Sequence, residues 1–351
     1  MQYRIAVGGA TGNVGSEMLK ILAQRGFPAQ SVVALASARS AGKQVAFGNT
    51  SLTVQDLATF DFASVDLAFL STGGDNSRQI SPRIAATGCV VIDNSSAFRL
   101  DPEVPLVVPE VNAPALAGWN NRRILPVGNC SIIQLVVALK PLHDAVGIKR
   151  VVVSTYQSVS GGGKRLVEQL AEEIASAELS GSQVRWPAPS TQAPFAFNVV
   201  PYIGSFMEDG STSEEWKMTE ETRKMLDPAI RLTATCVRVP VMVGHSVAVN
   251  VELASPLTVA AARELFEHAP GIVVQDSPQP GGYATPWQIA GTDAVYVSRL
   301  RRDPTIEAGL AFWVVADNIR KGAALNAVQI AEALIARPDF QQHAMQRQQT
   351  R

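Results

Sequence analysis

Ile5-Ala6-Val7-Gly8-Gly9-Ala10-Thr11-Gly12-Asn13-Val14-Gly15 decides how the chain folds. Three apolar residues of a strand run into a glycine turn, and residues 16–24 continue in a helical pattern. Strand, glycine turn and helix, in that order, are the context a dinucleotide fingerprint needs. The spacing is Gly9-x-x-Gly12-x-x-Gly15, a variant of G-x-G-x-x-G. The physics is the same. Glycines let the backbone turn tightly and approach a pyrophosphate, which the N-terminus of the following helix attracts.

Working outward, residues 31–36 read as the second strand, and its end bears on the type of nucleotide. A carboxylate there would bind a ribose 2′-hydroxyl. The chain has Ser37-Ala38-Arg39-Ser40-Ala41-Gly42-Lys43 instead, an arginine flanked by hydroxyls and followed by a lysine. That set suits a 2′-phosphate and hence NADP; a solvated basic loop is the plain alternative. Residues 65–70 and 89–93 are further strands, with a helix over 76–87 between them. The alternation predicts a doubly wound parallel sheet of Rossmann type, with Gly73 and Asp93 on the nucleotide side. The polar turn 93–99 carries Arg99, whose planar fork suits phosphate or carboxylate if it is not simply a surface arginine. Pro109-Glu110-Val111-Asn112 is another polar turn.

The chain has 351 residues, enough for two domains. Its 30 basic and 31 acidic residues nearly balance, so nothing draws it toward nucleic acid or an anionic membrane. No apolar run is long enough to cross a bilayer, and Tyr3-Arg4-Ile5 goes straight into a strand with no signal peptide. Cys89, Cys130 and Cys236 are too few and scattered for a disulfide framework or a zinc site. A cytoplasmic globular protein without a metal is expected.

The second half is organised by Val127-Gly128-Asn129-Cys130-Ser131. The apolar run 132–139 reads as a buried helix, which Asn129 or Ser131 could cap. Cys130 then sits at a helix N-terminus, where free amides and the dipole favour a thiolate. Packing is the ordinary role of such a cysteine, so this stretch alone leaves both readings open. Residues 149–158 form a strand ending in Gln157-Ser158-Val159-Ser160-Gly161-Gly162-Gly163, with a helix over 164–177. Cys89 begins an apolar strand and reads as core. Residues 180–227 are poor in periodicity and point to a functional or interface region. Within them Glu214 and Lys217 share a helix face, as a surface pair or as ligands. Strands over 232–239 and 244–253 carry Arg238 and His245. Residues 260–268 read as a helix, 271–275 and 311–315 as strands, 317–336 as one long helix, and the Gln-rich tail 341–351 as frayed. An activated cysteine beside a nicotinamide nucleotide suits aldehyde oxidation through a thioester. Of His143, His245, His268 and His343, only His245 lies in a strand-rich setting with a basic neighbour, which makes it the candidate acid/base.

The chain resembles the bacterial NADP-dependent aspartate-semialdehyde dehydrogenases. The resemblance rests on GGATGNVG (8–15), SARSAG (37–42), DNSSAFR (93–99), PEVN (109–112), GNCS (128–131), STYQSVSGGG (154–163), EEWKM (214–218), CVRVPVMVGHS (236–246) and DNIRKGAALNAVQIAE (317–332). They occur in the family's order and span nearly the whole chain. The resemblance implies Cys130 as nucleophile, His245 as acid/base and Gln157 as the group orienting the substrate. Arg238 is then the ligand of the substrate α-carboxylate and Glu214 of its amino group. Arg99 and Lys217 hold phosphate, with Asn129 beside the nucleophile. Thr11, Gly12, Asn13, Val14, Arg39 and Ser40 bind NADP, joined by Ser160, Gly161 and Asn318. It also implies a homodimer, an NADP-binding domain over 1–128 completed by a C-terminal helix (318–351), and an α+β catalytic and dimerisation domain over 129–317. The implied reaction is the NADPH-dependent reductive dephosphorylation of L-aspartyl-4-phosphate, serving lysine (through diaminopimelate), threonine and methionine biosynthesis. N-acetyl-γ-glutamyl-phosphate reductase, which shares the chemistry on an acylated substrate, and a catalytically inactive paralogue are the alternatives. Retention of Glu214, Cys130 and His245 speaks against both.

Overall fold

The computed structural model describes residues 1–180, 183–185 and 193–350. The chain divides into two units: Met1–Asn129 with Lys224–Leu226 and Ile319–Arg351, and Cys130–Arg223 with Asp227–Asn318.

In the first unit β1 (Tyr3–Gly8) leads through the glycine turn into α1 (Asn13–Gln24). The helix begins three residues before the predicted start at Ser16, because Gly12 takes the extended conformation of an N-cap and Asn13 already turns. β2 (Ala29–Ala36) follows, then a hairpin of β3 (Gln44–Phe47) and β4 (Thr50–Thr53), and the edge strand β5 (Gln55–Asp56). β6 (Leu67–Leu70), α2 (Gly74–Ala86), β7 (Val90–Asp93), the short helices α3 (Pro109–Asn112) and α4 (Trp119–Arg122), and β8 (Ile124–Pro126) complete this part. Among the described residues the sheet has the order β5-β2-β1-β6-β7-β8, and every pairing is parallel. The order reverses between β1 and β6, the switch point at which such sheets bind ligands. β6 along its length and β1 from Ile5 onward are apolar and buried on both faces, as central parallel strands must be.

The second unit opens with α5 (Cys130–Val146), then β9 (Ile148–Gln157), a 3₁₀ turn (Val159–Gly162) and α6 (Lys164–Ser176). A small hairpin, β10 (Glu178–Ser180) and β11 (Gln183–Arg185), precedes α7 (Ser213–Met225), β12 (Arg231–Arg238) and β13 (His245–Leu253). α8 (Val259–His268), β14 (Ile272–Val274), α9 (Pro286–Ile289), β15 (Val295–Arg302) and β16 (Gly309–Ala316) follow. The mixed sheet has the order β12-β9-β13-β16-β15-β14. β12 runs parallel to β9, while β13 runs antiparallel to both β9 and β16. α5 lies on this sheet, against β9, β13, β16 and α8. Ile132, Ile133, Leu135, Val136, Leu139 and Leu142 are buried, each contributing on the order of 2 kcal/mol to holding the helix down.

After Asn318 the chain rejoins the first unit through a π-helical turn (Arg320–Ala324), α10 (Leu325–Ile335) and α11 (Pro338–Gln349). α10 packs on α1, α3 and β7. Arg320 is paired with Glu17, and Arg25 grips Glu332 through two hydrogen bonds of 2.7 and 2.8 Å. The ammonium of Lys321, itself buried, donates to Glu110 and Gln329 at 2.7 Å each.

Several expectations change. The single helix predicted over 317–336 begins as a π turn. The tail predicted to fray is helical, because Phe340 and Ala344 are buried and Trp119 donates to Asp339 at 3.1 Å. Pro109–Asn112 is a helical turn with proline at its first position, where no amide is needed. Part of the irregular stretch expected over 180–227 lies outside the described residues. What is described there includes α7, which carries the expected helix face of Glu214 and Lys217 and runs on to Met225. The β3–β4 hairpin and β15 were not anticipated. Among the described residues no helix is long and apolar enough to cross a membrane.

Candidate active site

Four chain segments meet at one end of the mixed sheet. β9 ends at Gln157, and its parallel neighbour β12 ends at Arg238, in register beside it. β13 starts there with His245, opposite Ala316 of β16, and Asn318 follows two residues on. Parallel and antiparallel pairing thus bring strand ends and strand beginnings to the same edge. α5 starts in this unit with Cys130, which is half-buried.

Each side chain is held. The Gln157 carboxamide accepts from Thr155 Oγ1 at 3.1 Å and donates to Glu214 Oε1 at 3.2 Å, which fixes its orientation. Glu214 lies in the first turn of α7, where the dipole favours a carboxylate, and its other oxygen meets Lys217 Nζ at 3.4 Å. The Arg238 guanidinium donates to the Ser158 carbonyl at 2.7 Å. Burial lowers its pKa, opposed by the negative charge of Cys130 and then of Glu214. The other two thiols differ. Burial pushes Cys236 up to about 12, keeping it protonated, and Cys89 is buried in the core of the first unit.

His245 is fully buried. Its Nδ1 receives the main-chain N–H of Ser158 at 3.0 Å and lies 3.1 Å from the Ser158 hydroxyl. Its Nε2 has no hydrogen-bond partner among the described residues. Burial, and then the Arg238 charge, hold its pKa well below the ordinary histidine value. Asn318 organises this corner: its Oδ1 accepts from the Gly244 amide at 2.8 Å and from Ser158 Oγ at 3.0 Å, and its Nδ2 donates to Ser160 Oγ at 3.0 Å. Gly161 faces His245 and Arg238. A methyl group there would come within 3.0 Å of His245 Nε2 and 3.4 Å of Arg238 Nη1, so glycine keeps the space open.

In the first unit Gly9 has φ +80, and a Cβ on it would lie 2.2 Å from the Ser71 carbonyl oxygen. The first turn of α1 holds no acidic residue, and Gly12 offers no side-chain cap, so the helix start is free for an anion. Thr11 and Gly12 are exposed and Asn13 and Val14 partly so. Arg39 is exposed just past the end of β2, and Ser40 is partly exposed. A cavity of about 460 Å³ adjoins them, lined by Ser37, Asp56, Leu57, Phe60 and Asn76 among others. Asp56 on β5 pairs with Ala36 at the end of β2, a carboxylate that the β2 sequence itself does not show; one of its oxygens is engaged by the Ala58 amide at 3.1 Å. Arg99 is buried and donates to the Val127 carbonyl at 2.8 Å; Asn129 is buried too. The loop carrying Arg99 is pinned by Lys224, whose ammonium donates to the carbonyls of Arg99, Asp101 and Val104 at 2.7–2.8 Å.

The second unit thus gathers Cys130, Gln157, Glu214, Lys217, Arg238, His245, Ser160, Gly161 and Asn318, and the first holds Thr11, Gly12, Asn13, Val14, Arg39, Ser40, Arg99 and Asn129. Ser158, Thr155 and Lys224 were missed. No local sequence signal marks them, since they act through a main-chain amide, a strand hydroxyl and a distant loop. Among the described residues no three His, Cys, Asp or Glu side chains gather where a metal ion could be held.

Two family models match: the semialdehyde dehydrogenase NAD binding domain over residues 4–119 and the semialdehyde dehydrogenase dimerisation domain over residues 139–321. The chain is similar to the aspartate-semialdehyde dehydrogenase of Aquifex aeolicus, 48% identical over 95% of this chain and 98% of that protein. It is 45% identical to the crystal structure of aspartate semialdehyde dehydrogenase II from Vibrio cholerae, with a TM-score of 0.92 and coverage of 96% and 100% of the two chains. A second structure of that Vibrio enzyme, complexed with ASA, has the same TM-score of 0.92 and covers 99% of its chain. A Rossmann-type unit, a cysteine at a helix start and this agreement over nearly the full length lead to one conclusion: the chain belongs to the aspartate-semialdehyde dehydrogenase family, a family of oxidoreductases.

Proposed function

We propose that the chain catalyses the NADPH-dependent reductive dephosphorylation of L-aspartyl-4-phosphate to L-aspartate 4-semialdehyde through a thioester on Cys130. The observation that carries this reading is the meeting of Gln157, Arg238 and His245 at one sheet end, in the unit that Cys130 opens at a helix start. The complex of the Vibrio enzyme with ASA supports the substrate class.

The glycine turn fits a dinucleotide, since Gly9 leaves no room for a side chain and the start of α1 lacks a competing carboxylate. Thr11, Gly12, Asn13 and Val14 would hold its phosphates, and Arg39 and Ser40 the 2′-phosphate that distinguishes NADP. Ser160, Gly161 and Asn318 are the candidate nucleotide contacts of the second unit. Bound there, the nucleotide supplies the hydride.

The chain's own residues do the rest. Arg238 and the α5 amides hold Cys130 as a thiolate. Arg238 also presents a planar fork to the substrate α-carboxylate. Glu214 receives the free ammonium, which an N-acetylated substrate would lack. Gln157 turns its oriented carboxamide to the substrate. Lys217 in the second unit and Arg99 in the first hold the phosphate, and Asn129 stands beside the nucleophile. His245 is the acid/base group.

The description of residues 139–321 as a dimerisation domain supports a homodimer, as do exposed aromatics on the second unit, where Phe206 is 69% exposed and lies tilted against Tyr202. The product serves lysine (through diaminopimelate), threonine and methionine biosynthesis in the cytoplasm. The test is an assay with aspartate semialdehyde. NADP reduction should require inorganic phosphate and outrun NAD reduction. Turnover without phosphate, or none with this aldehyde, overturns the reading.

A further inference from the structure

A cation that the proposed reaction does not use sits at the end of α7. Lys224 lies in the last turn of that helix, where the dipole favours a positive charge, and belongs with Arg99 to the first unit. Its ammonium donates to the main-chain carbonyls of Arg99, Asp101 and Val104 at 2.8, 2.7 and 2.8 Å. An ammonium has three protons and these bonds engage all of them, so Lys224 has none to offer a phosphate. The carbonyls in turn converge on one point, an arrangement that their dipoles oppose unless a cation fills it. The loop's own main-chain bonds are longer: Asp101 donates to Phe98 at 3.2 Å and Val104 to Asp101 at 3.1 Å. From outside, Arg122 pairs with Glu103 at 2.9 Å and with Asp101 at 3.5 Å, but these charges are partly exposed and water screens them. The Lys224 ammonium is therefore what sets the shape of the loop.

We infer that Lys224 is a positioning residue for the phosphate co-substrate: it clamps the main chain at Arg99 and thereby aims the Arg99 guanidinium. The inference deepens the proposed function and rests on it for phosphate as the ligand of Arg99.

Arg99 is held at both ends of its side chain. At the head, Nε donates to the Val127 carbonyl at 2.8 Å, and the Val127 amide donates to the Asp93 carbonyl at 2.8 Å. The head is thus tied to the turn that leads to Cys130, and the root to the Lys224 clamp. With both ends fixed, the torsions between them are set before phosphate arrives. Releasing the root moves the cost of ordering that side chain onto the binding step, which weakens binding by roughly 3–10-fold. The loss falls on phosphate alone, since Arg99 is assigned neither the substrate's α-carboxylate, nor its ammonium, nor the nucleotide. Lys224 itself touches no reactant and exchanges no proton with one.

The test compares the full chain with Lys224→Met, which keeps an apolar stem and loses the ammonium, in the semialdehyde assay. The KM for inorganic phosphate should rise roughly 3–10-fold, with kcat and the KM values for semialdehyde and NADP within about twofold. An unchanged phosphate KM overturns the proposal, and so does an equal rise in all three KM values, which marks general damage. Arg223→Met removes the neighbouring cation of α7 and should leave the phosphate KM alone. A rise matching that of Lys224→Met would make the effect one of helix charge and overturn the clamp. A double-mutant cycle asks whether Lys224 acts through Arg99. In an Arg99→Gln background, adding Lys224→Met should change kcat/KM for phosphate by less than about twofold, and full additivity overturns the proposal. If Lys224→Met does not fold by circular dichroism, Lys224→Arg takes its place. Its planar fork cannot meet three converging carbonyls, so the phosphate KM should again rise, and an unchanged value is again fatal. If the unsubstituted chain shows no phosphate-dependent turnover, the proposed function fails. The clamp is then read from ³¹P line broadening of inorganic phosphate, which should need more protein with Lys224→Met than with the unsubstituted chain; equal broadening overturns it.

Discussion

The glycine turn of the first unit and the sheet end of the second are built from different parts of the chain. At the turn the groups proposed to bind are main-chain amides, and the side chains matter by being absent: a methyl on Gly9 would strike the Ser71 carbonyl. At the sheet end the groups proposed to work are side chains from residues 130, 157, 214, 238 and 245, far apart in sequence. They are held there by strand register and by the Ser158 and Asn318 hydrogen bonds. The first kind of site fails through collision and the second through lost contacts. Substitutions should therefore separate binding from turnover, unit by unit.

The sharpest separation comes from Cys130→Ala. We expect phosphate-dependent NADP reduction to fall on the order of 10⁴-fold or more, because no other thiol can substitute. NADP affinity, followed by fluorescence titration, should stay within about twofold. Measurable turnover in this variant would remove Cys130 as nucleophile. Next is Arg238→Lys, which keeps the charge and loses the planar fork. A charge-assisted hydrogen bond contributes about 1.5–3 kcal/mol, so kcat/KM for the semialdehyde should fall roughly 10–100-fold with nucleotide binding intact. An unchanged kcat/KM would mean the carboxylate is bound elsewhere.

A pair of glycine variants could break the comparison. Gly9→Ala should weaken NADP binding at least about tenfold and lower thermal stability by about 1–3 kcal/mol, the usual penalty of overpacking. Gly161→Ala should lower the melt less than Gly9→Ala does and slow turnover, since its methyl would press on the His245 ring and Arg238 Nη1 at 3.0–3.4 Å and meet no main-chain atom. If the two variants behave alike, the division into main-chain and side-chain sites is wrong.

The smallest effect concerns pH. The folded-state pKa of His245 lies well below its unfolded value near 6.5. Above 6.5 the ring is neutral in both states and contributes nothing. Below it the unfolded chain takes up a proton that the folded ring refuses. Stability therefore falls with pH, by at most about 1.4 kcal/mol per unit. Denaturant titrations between pH 7 and 5 should show a shallower decline for His245→Gln than for the unsubstituted chain. Identical slopes would contradict the neutral ring.

Legibility in the sequence follows the same division. The glycine turn could be read because local backbone geometry selects residue type, and the central strands because burial on both faces leaves unbroken apolar runs. Cys130 was visible as a helix start, but neither its charge partner nor its distinction from Cys236 was, since both depend on which strands pair. The β3–β4 hairpin left a faint trace in Phe47-Gly48-Asn49-Thr50, a turn pair between short, half-exposed strands. β15 was hidden because its ladder slips between Ser298 and Arg301, with Arg299 at φ 56, and its end is rich in arginine. Ser158 could not have been found this way: every residue but proline has an amide, and only tertiary structure shows one aimed at a histidine ring.

The return of residues 319–351 to the first unit also governs how the molecule is made. Tyr3 rests against Phe340, ring to ring at 5.8 Å, so a side chain of β1 packs on one of α11, which is synthesised only after the whole second unit. Until α10 and α11 leave the ribosome, a nascent chain has the strands and glycine turn of the nucleotide sheet but lacks a layer that covers it. Nucleotide affinity should therefore appear only after α10 and α11 have been made, and a ribosome stalled within the second unit would present an uncovered apolar face to chaperones and proteases.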